Sequence, residues 1–89
     1  MDLRMNAGYI ITDSIHIGDT EFVLGVSSTT PSQFVTWECR AGSDYFWGHY
    51  FSDRISATRN LLERAGQELE YQEIQQEKGH KTRKKERER

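Results

Sequence analysis

Alternation of apolar and polar residues begins at Tyr9 and runs through four segments before the period lengthens. Tyr9, Ile11, Ile15 and Ile17 share one parity and Thr12, Ser14 and His16 the other, the pattern of a half-buried strand, with Asp13 standing on the apolar side. One extra residue in a β-bulge near Asp13 reconciles that conflict. Gly18-Asp19 makes a tight turn into residues 21–27, where Phe22, Leu24 and Val26 alternate with Glu21, Val23 and Gly25, so the first two strands form a hairpin. The polar stretch 28–32 holds Pro31, which cannot continue a ladder. A third strand over 34–40 sets Val35, Trp37 and Cys39 on one face against Phe34, Thr36, Glu38 and Arg40 on the other. After the turn Ala41-Gly42-Ser43-Asp44, residues 45–51 form a fourth strand, aromatic on both parities and interrupted by Gly48, which marks a bulge or the close approach of another segment. Residues 1–7 carry no period and predict a frayed end.

From Ser52 the period is helical. Ser52-Asp53 offers side-chain oxygens to the unpaired amides of a first turn. Ile55, Thr58, Leu62, Ala65 and Leu69 then recur at steps of three and four, with Leu61 flanking, as the apolar stripe of an amphipathic helix. Continued to Gln76 this helix is roughly 36 Å long, whereas a seven-residue strand covers about 24 Å. It therefore overhangs the sheet, beginning near Gly66, beyond which only Leu69, Tyr71 and Ile74 are large and apolar. The reading is an α+β fold, a four-stranded antiparallel β-meander packed on one C-terminal α-helix (ββββα). It forms one domain over 1–76, followed by a disordered basic tail over 77–89.

Eighty-nine residues support only a thin core, since a domain this small buries about 60% of the surface its unfolded chain exposes. The aromatic residues gathered in the central strands can supply much of that area. The lone Cys39 forms no internal disulfide, which points to an intracellular home, and no apolar run reaches the roughly 20 residues that span a bilayer. The expectation is a cytoplasmic protein with no membrane partner. The formal charge of −2 conceals an asymmetry: residues 77–89 carry seven basic and three acidic side chains, a net +4, leaving five basic and eleven acidic ones, a net −6, on residues 1–76. An acidic body repels a phosphate backbone and complements a basic protein surface.

Candidates for chemistry are few. Cys39 and His49, on adjacent strands, are the one pair suggesting a thiol nucleophile. Symmetric pairing about Gly42-Ser43, however, sets Arg40 near Tyr45 and Glu38 near Trp47, leaving Cys39 nearer Phe46 than His49. A buried free Cys then acts as a small hydrophobe and His49 as a structural hydrogen-bonder. His16, Asp44 and Glu38 converge on nothing in the pattern. One Cys and three scattered His, His80 among them, lack the paired spacing of a metal site, and no glycine-rich loop precedes the helix to hold phosphate. No catalytic residue, metal or cofactor is expected, and the protein reads as non-enzymatic.

The aromatic strand remains. Its rings either fill a small core, anchor a protein partner, or stack on bases. The tail residues Lys81, Arg83, Lys84 and Lys85 either track phosphates or, with their interspersed Glu residues, form a solvated terminus.

In Val23-Leu24-Gly25, Phe34-Val35-Thr36-Trp37 and Asp44-Tyr45-Phe46-Trp47-Gly48-His49-Tyr50, the chain resembles a group of small uncharacterised accessory proteins of Gram-positive conjugative and mobile elements. The group lends no catalytic role to any residue. What the resemblance implies is a mobile-element setting, in which small acidic proteins often inhibit host defence, including anti-CRISPR and anti-restriction inhibitors of nucleic-acid-directed nucleases. The expected partner is thus a protein with a basic surface. It would meet Asp13, Asp19, Glu21, Glu38, Asp44, Tyr45, Trp47, His49, Tyr50 and the helix acids Glu63, Glu68, Glu70 and Glu73. The alternatives are a nucleic-acid-binding accessory factor using tail and sheet rings, and a structural homodimer formed through an edge strand or the helix overhang.

Overall fold

The computed structural model describes residues 3–79. Five strands, β1 (Met5–Asn6), β2 (Tyr9–Ile17), β3 (Thr20–Ser27), β4 (Phe34–Arg40) and β5 (Asp44–Phe51), follow one another in a single antiparallel sheet, and α1 (Arg54–Gly79) completes the α+β fold. The four expected strands are β2 to β5. The correction is β1: Met5 and Asn6, within the segment expected to fray, pair with Ile10 and Tyr9. Ala7-Gly8 connects them with φ of 51° and 84°, positive at both central positions, as a type I′ turn requires. Ala41-Gly42 repeats the device with φ of 54° and 77°. Alanine rarely takes this conformation, so Ala7-Gly8 does not read as a hairpin turn in the sequence, whereas the turn expected at Ala41-Gly42-Ser43-Asp44 is present.

Two bulges decide which side chains meet. In β2 the pairing passes from Ile11↔Gly25 to Asp13↔Leu24, so Thr12 is the extra residue. The bulge expected near Asp13 is present, and it also switches the parity of the strand. Tyr9 and Ile11 pack with Val23, Val35, Trp37 and Cys39 on one face of the sheet. Ile15 and Ile17 join Phe22, Leu24, Phe34, Val26 and Phe51 beneath the helix on the other. The sheet therefore has a core on each side. It is curled enough that Arg4, just before β1, donates from Nε to Tyr45 Oη on β5 at 2.7 Å.

Asp53 caps α1, its Oδ2 accepting from the amide (3.2 Å) and hydroxyl (3.1 Å) of Ser56; these bonds hold its carboxyl below the usual aspartate range. The buried stripe is Ala57, Leu61 and Ala65: of the expected stripe Ala65 faces the sheet together with the flanking Leu61, whereas Ile55, Leu62 and Leu69 are 71%, 58% and 47% exposed. The two alanines let the helix approach a sheet whose phenylalanines already fill the intervening space. A polar bridge crosses this interface: buried Thr36 donates to Asn60 Oδ1 (2.6 Å) and accepts from Arg64 Nη1 (3.2 Å). Gln72 Nε2 donates to the Ile17 carbonyl at 2.9 Å, so the helix leaves the sheet after Gln72 and not at Gly66. It continues to Gly79, three residues past the expected Gln76.

Candidate functional site

The register of β4 against β5 is Arg40↔Asp44, Cys39↔Tyr45 and Glu38↔Phe46, then Thr36↔His49, Val35↔Tyr50 and Phe34↔Phe51. The first three pairs are one residue short of the symmetric pairing expected about Gly42-Ser43. Trp47 and Gly48 together oppose Trp37, and this second bulge absorbs the difference. The bulge expected at Gly48 is present, and the close neighbour is a side chain of the adjacent strand: a Cβ there would lie 2.7 Å from Nε1 of the buried Trp37 indole. Trp47, the other bulge residue, adopts φ of 54°, a left-handed conformation costly for a bulky side chain. Its ring is thereby turned outward and stays 66% exposed, touching only the edge of Phe46 at a centroid distance of 4.9 Å among aromatic neighbours.

Beside Trp47, between the β5 edge and α1, lies a cleft of about 290 Å³ lined by Phe22, Glu38, Trp47, His49, Arg64 and Gln67. Arg64 Nη1 is anchored on the Thr36 carbonyl at 3.2 Å, with its guanidinium 5.8 Å from the Phe22 centroid. Burial lowers its pKa, opposed by the charge of Glu38. Glu38 is buried with its Oε2 3.6 Å from Arg40 Nη2. On the opposite face Tyr50, 63% exposed, meets Tyr9 edge-on at 6.1 Å. The rings of β5 are thus divided by the bulge. Tyr45, Phe46 and Phe51 are partly buried, whereas Trp47 and Tyr50 project.

Several residues expected at a partner surface are engaged internally. Glu21 is buried and receives both Arg4 Nη1 (2.7 Å) and Nη2 (2.8 Å), which holds its carboxyl below the usual range. Tyr45 accepts the Nε of the same guanidinium. Glu38 is taken by Arg40, and Asp13 lies 3.4 Å from Arg54. Asp19, Asp44, Glu63, Glu70 and Glu73 are exposed, and half-buried Glu68 accepts from Gln72. The arginines are consumed in the same contacts. Arg4, Arg40, Arg54 and Arg64 each sit over a ring, Tyr45, Phe46, Phe34 and Phe22 respectively, at 5.2–5.8 Å. Of the described arginines only Arg59 lacks such a contact; the field of the body is negative because eleven acidic side chains outnumber five basic ones over residues 1–76.

Cys39 and His49 are not brought together. Cys39 is fully buried opposite Tyr45, where burial raises its thiol pKa and Sγ accepts from Arg4 Nη2 at 3.3 Å. His49 lies on the helix side, opposite Thr36. Among the described residues no three His, Cys, Asp or Glu converge as a metal site, and no helix is long and apolar enough to cross a membrane. Lys81, Arg83, Lys84 and Lys85 lie outside the described residues. The cleft residues Arg64 and Gln67 carried one legible signal, since Arg64 falls between Leu61 and Ala65 on the helix repeat; Arg4 carried none. Comparison with known proteins finds no matching family model, curated protein or solved structure.

Proposed function

We propose that the protein is a non-enzymatic docking module, an accessory protein of a mobile element that binds a partner with a basic surface. The resemblance of its Trp37 and Trp47 segments to mobile-element accessory proteins supports a partner among host defence nucleases, with the chain as an inhibitor of anti-CRISPR or anti-restriction type. The observation carrying this reading is Trp47. A small domain short of buried area spends a left-handed backbone on turning its exposed tryptophan away from the core, onto the rim of a cleft. Strain retained beside a projecting aromatic fits an anchor, and buried tryptophans dominate the energetics of protein interfaces. Asp44, Glu63, Glu70 and Glu73 surround the body with unneutralised charge that steers a cationic partner.

The test is affinity against purified nucleases of restriction and CRISPR systems across a salt series. Trp47→Gly should weaken binding by about thirtyfold, the equivalent of about 2 kcal/mol. Joint neutralisation of Glu63, Glu70 and Glu73 to Gln should slow association and flatten its salt dependence. Unchanged affinity for Trp47→Gly sinks the reading. Binding to bare DNA that disappears when residues 78–89 are removed would favour the nucleic-acid accessory role instead.

A further inference from the structure

Ile55, Leu62 and Leu69 are large, apolar and exposed, and they stand seven residues apart on α1. That spacing aligns them in one seam about 21 Å long. Its first two residues, Ile55 and Leu62, lie on an open, shallow apolar surface of the helix that Arg54, Thr58, Arg59 and Glu63 also line. The neighbouring charges are ordered along the seam: Arg54 and Arg59 flank its N-terminal half, and Glu63, Glu70 and Glu73 its C-terminal half. We infer that this face is an antiparallel homodimer interface whose two-fold axis passes beside Leu62.

The occupant follows from self-complementarity. An isologous contact requires one patch to fit itself after a two-fold rotation. Antiparallel pairing about Leu62 sets Ile55 against Leu69 of the second copy, twice, with Leu62 meeting itself at the centre. On the flank of the seam Arg59 then falls beside Glu63 of the second copy, and Glu63 beside its Arg59. Glu70 and Glu73 come level with the second copy's helix start, the positive end of its dipole. Parallel pairing would align Arg59 with Arg59 along the chain and acid with acid, losing these contacts. Gly66 faces open space, with no atom of another segment within 4 Å of where a β-carbon would stand, and leaves room for Ile55 to reach Leu69. The seam shares no residue with the Trp47 cleft but engages Glu63, Glu70 and Glu73, so the steering role of these acids is read in the monomeric Leu62→Glu background, where the two proposals fail separately.

Sedimentation of the whole chain over about 1–500 μM tests it. A mass of twice 10.4 kDa is expected, falling to the monomer with Leu62→Glu while circular dichroism and melting temperature at low concentration stay unchanged. Arg59→Glu and Glu63→Arg should each weaken association by at least about tenfold, and the double variant R59E/E63R should restore it. Under oxidation L62C should cross-link to itself, and I55C to L69C but not to I55C. A monomer across the range, a dimer indifferent to Leu62→Glu, charge variants without mutual rescue, or self-linking of I55C would each overturn the proposal.

Discussion

Gly48 and Trp47 divide one bulge between a residue that must lack a side chain and one that must carry a projecting ring. Gly48→Ala drives a methyl into the Trp37 indole, which is buried and has little room to yield, so a loss of about 1–3 kcal/mol in chemical denaturation is expected. Trp47→Gly relieves the positive φ but forfeits the edge contact with Phe46. These effects oppose each other, and stability should stay within about 1 kcal/mol of the parent while partner binding weakens about thirtyfold. Fold and function would thereby separate at adjacent positions. Glu21 makes a prediction in pH. Its folded carboxyl titrates below the unfolded one because Arg4 donates two hydrogen bonds to it. The pair's contribution is therefore complete above the ordinary carboxylate range and is lost as pH falls through the lowered folded value. Glu21→Gln should remove about 1–3 kcal/mol at neutral pH, the exposed side of Arg4 limiting the loss, and should flatten the acid limb of stability against pH. A pH profile as steep as the parent's would refute this.

At the scale of elements, the helix contact is narrower than its hydropathy implies. Leu61 is buried between Phe22 and the alanines, whereas Leu62, the next residue, points to solvent. Leu61→Ala should cost about 2–4 kcal/mol and Leu62→Ala less than about 0.5 kcal/mol in the dilute protein, read from urea midpoints at constant slope. Equal costs would place the helix in the rotation that the sequence pattern suggests. That pattern misled for a physical reason. Periodicity weights large apolar residues, and here two alanines face the sheet while Asn60, Arg64 and Gln72 hydrogen-bond across the contact. The large residues Ile55, Leu62 and Leu69 gave a true seam, but on the outer flank. The strands were more legible: alternation located β2 to β5, and the misplaced Asp13 announced its bulge. What alternation could not convey is that each bulge redirects half a strand to the other face. Period-two reasoning consequently assigned Tyr9 and Ile17 to one core when they belong to two. Outward placement at the candidate site was legible in Trp47, Tyr50, Glu63, Glu70 and Glu73. The internal engagement of Glu21 and Tyr45 was illegible, because their partner Arg4 reaches them only through the curl of the folded sheet, whereas Glu38 and Arg40 stand two residues apart on one face of β4.

For the whole molecule, the decisive feature is that a five-stranded sheet is drawn round until its first and last strands communicate. Arg4 makes that link: it touches Tyr45 on β5, Glu21 on β3 and the Cys39 thiol on β4 at once. Below it Cys39 has no exposure to solvent, so its reaction with a thiol reagent reports opening of the curl and not the chemistry of the outer surface. Labelling requires the Arg4 brace to lift, exposing a sulfur whose pKa then returns towards the ordinary value. Arg4→Ala deletes the brace and leaves Glu21 buried without its cation, at a cost of about 1.5–3 kcal/mol to the closed state. Each 1.4 kcal/mol is tenfold in the open fraction, so labelling of Cys39 should accelerate by about 10- to 140-fold at pH 8. Arg40→Ala, which removes a cation from the helix side of the sheet without touching the brace, should leave the rate within about threefold of the parent. If both variants label at the same rate, the thiol is exposed by global unfolding alone and the first and last strands are not held together by Arg4.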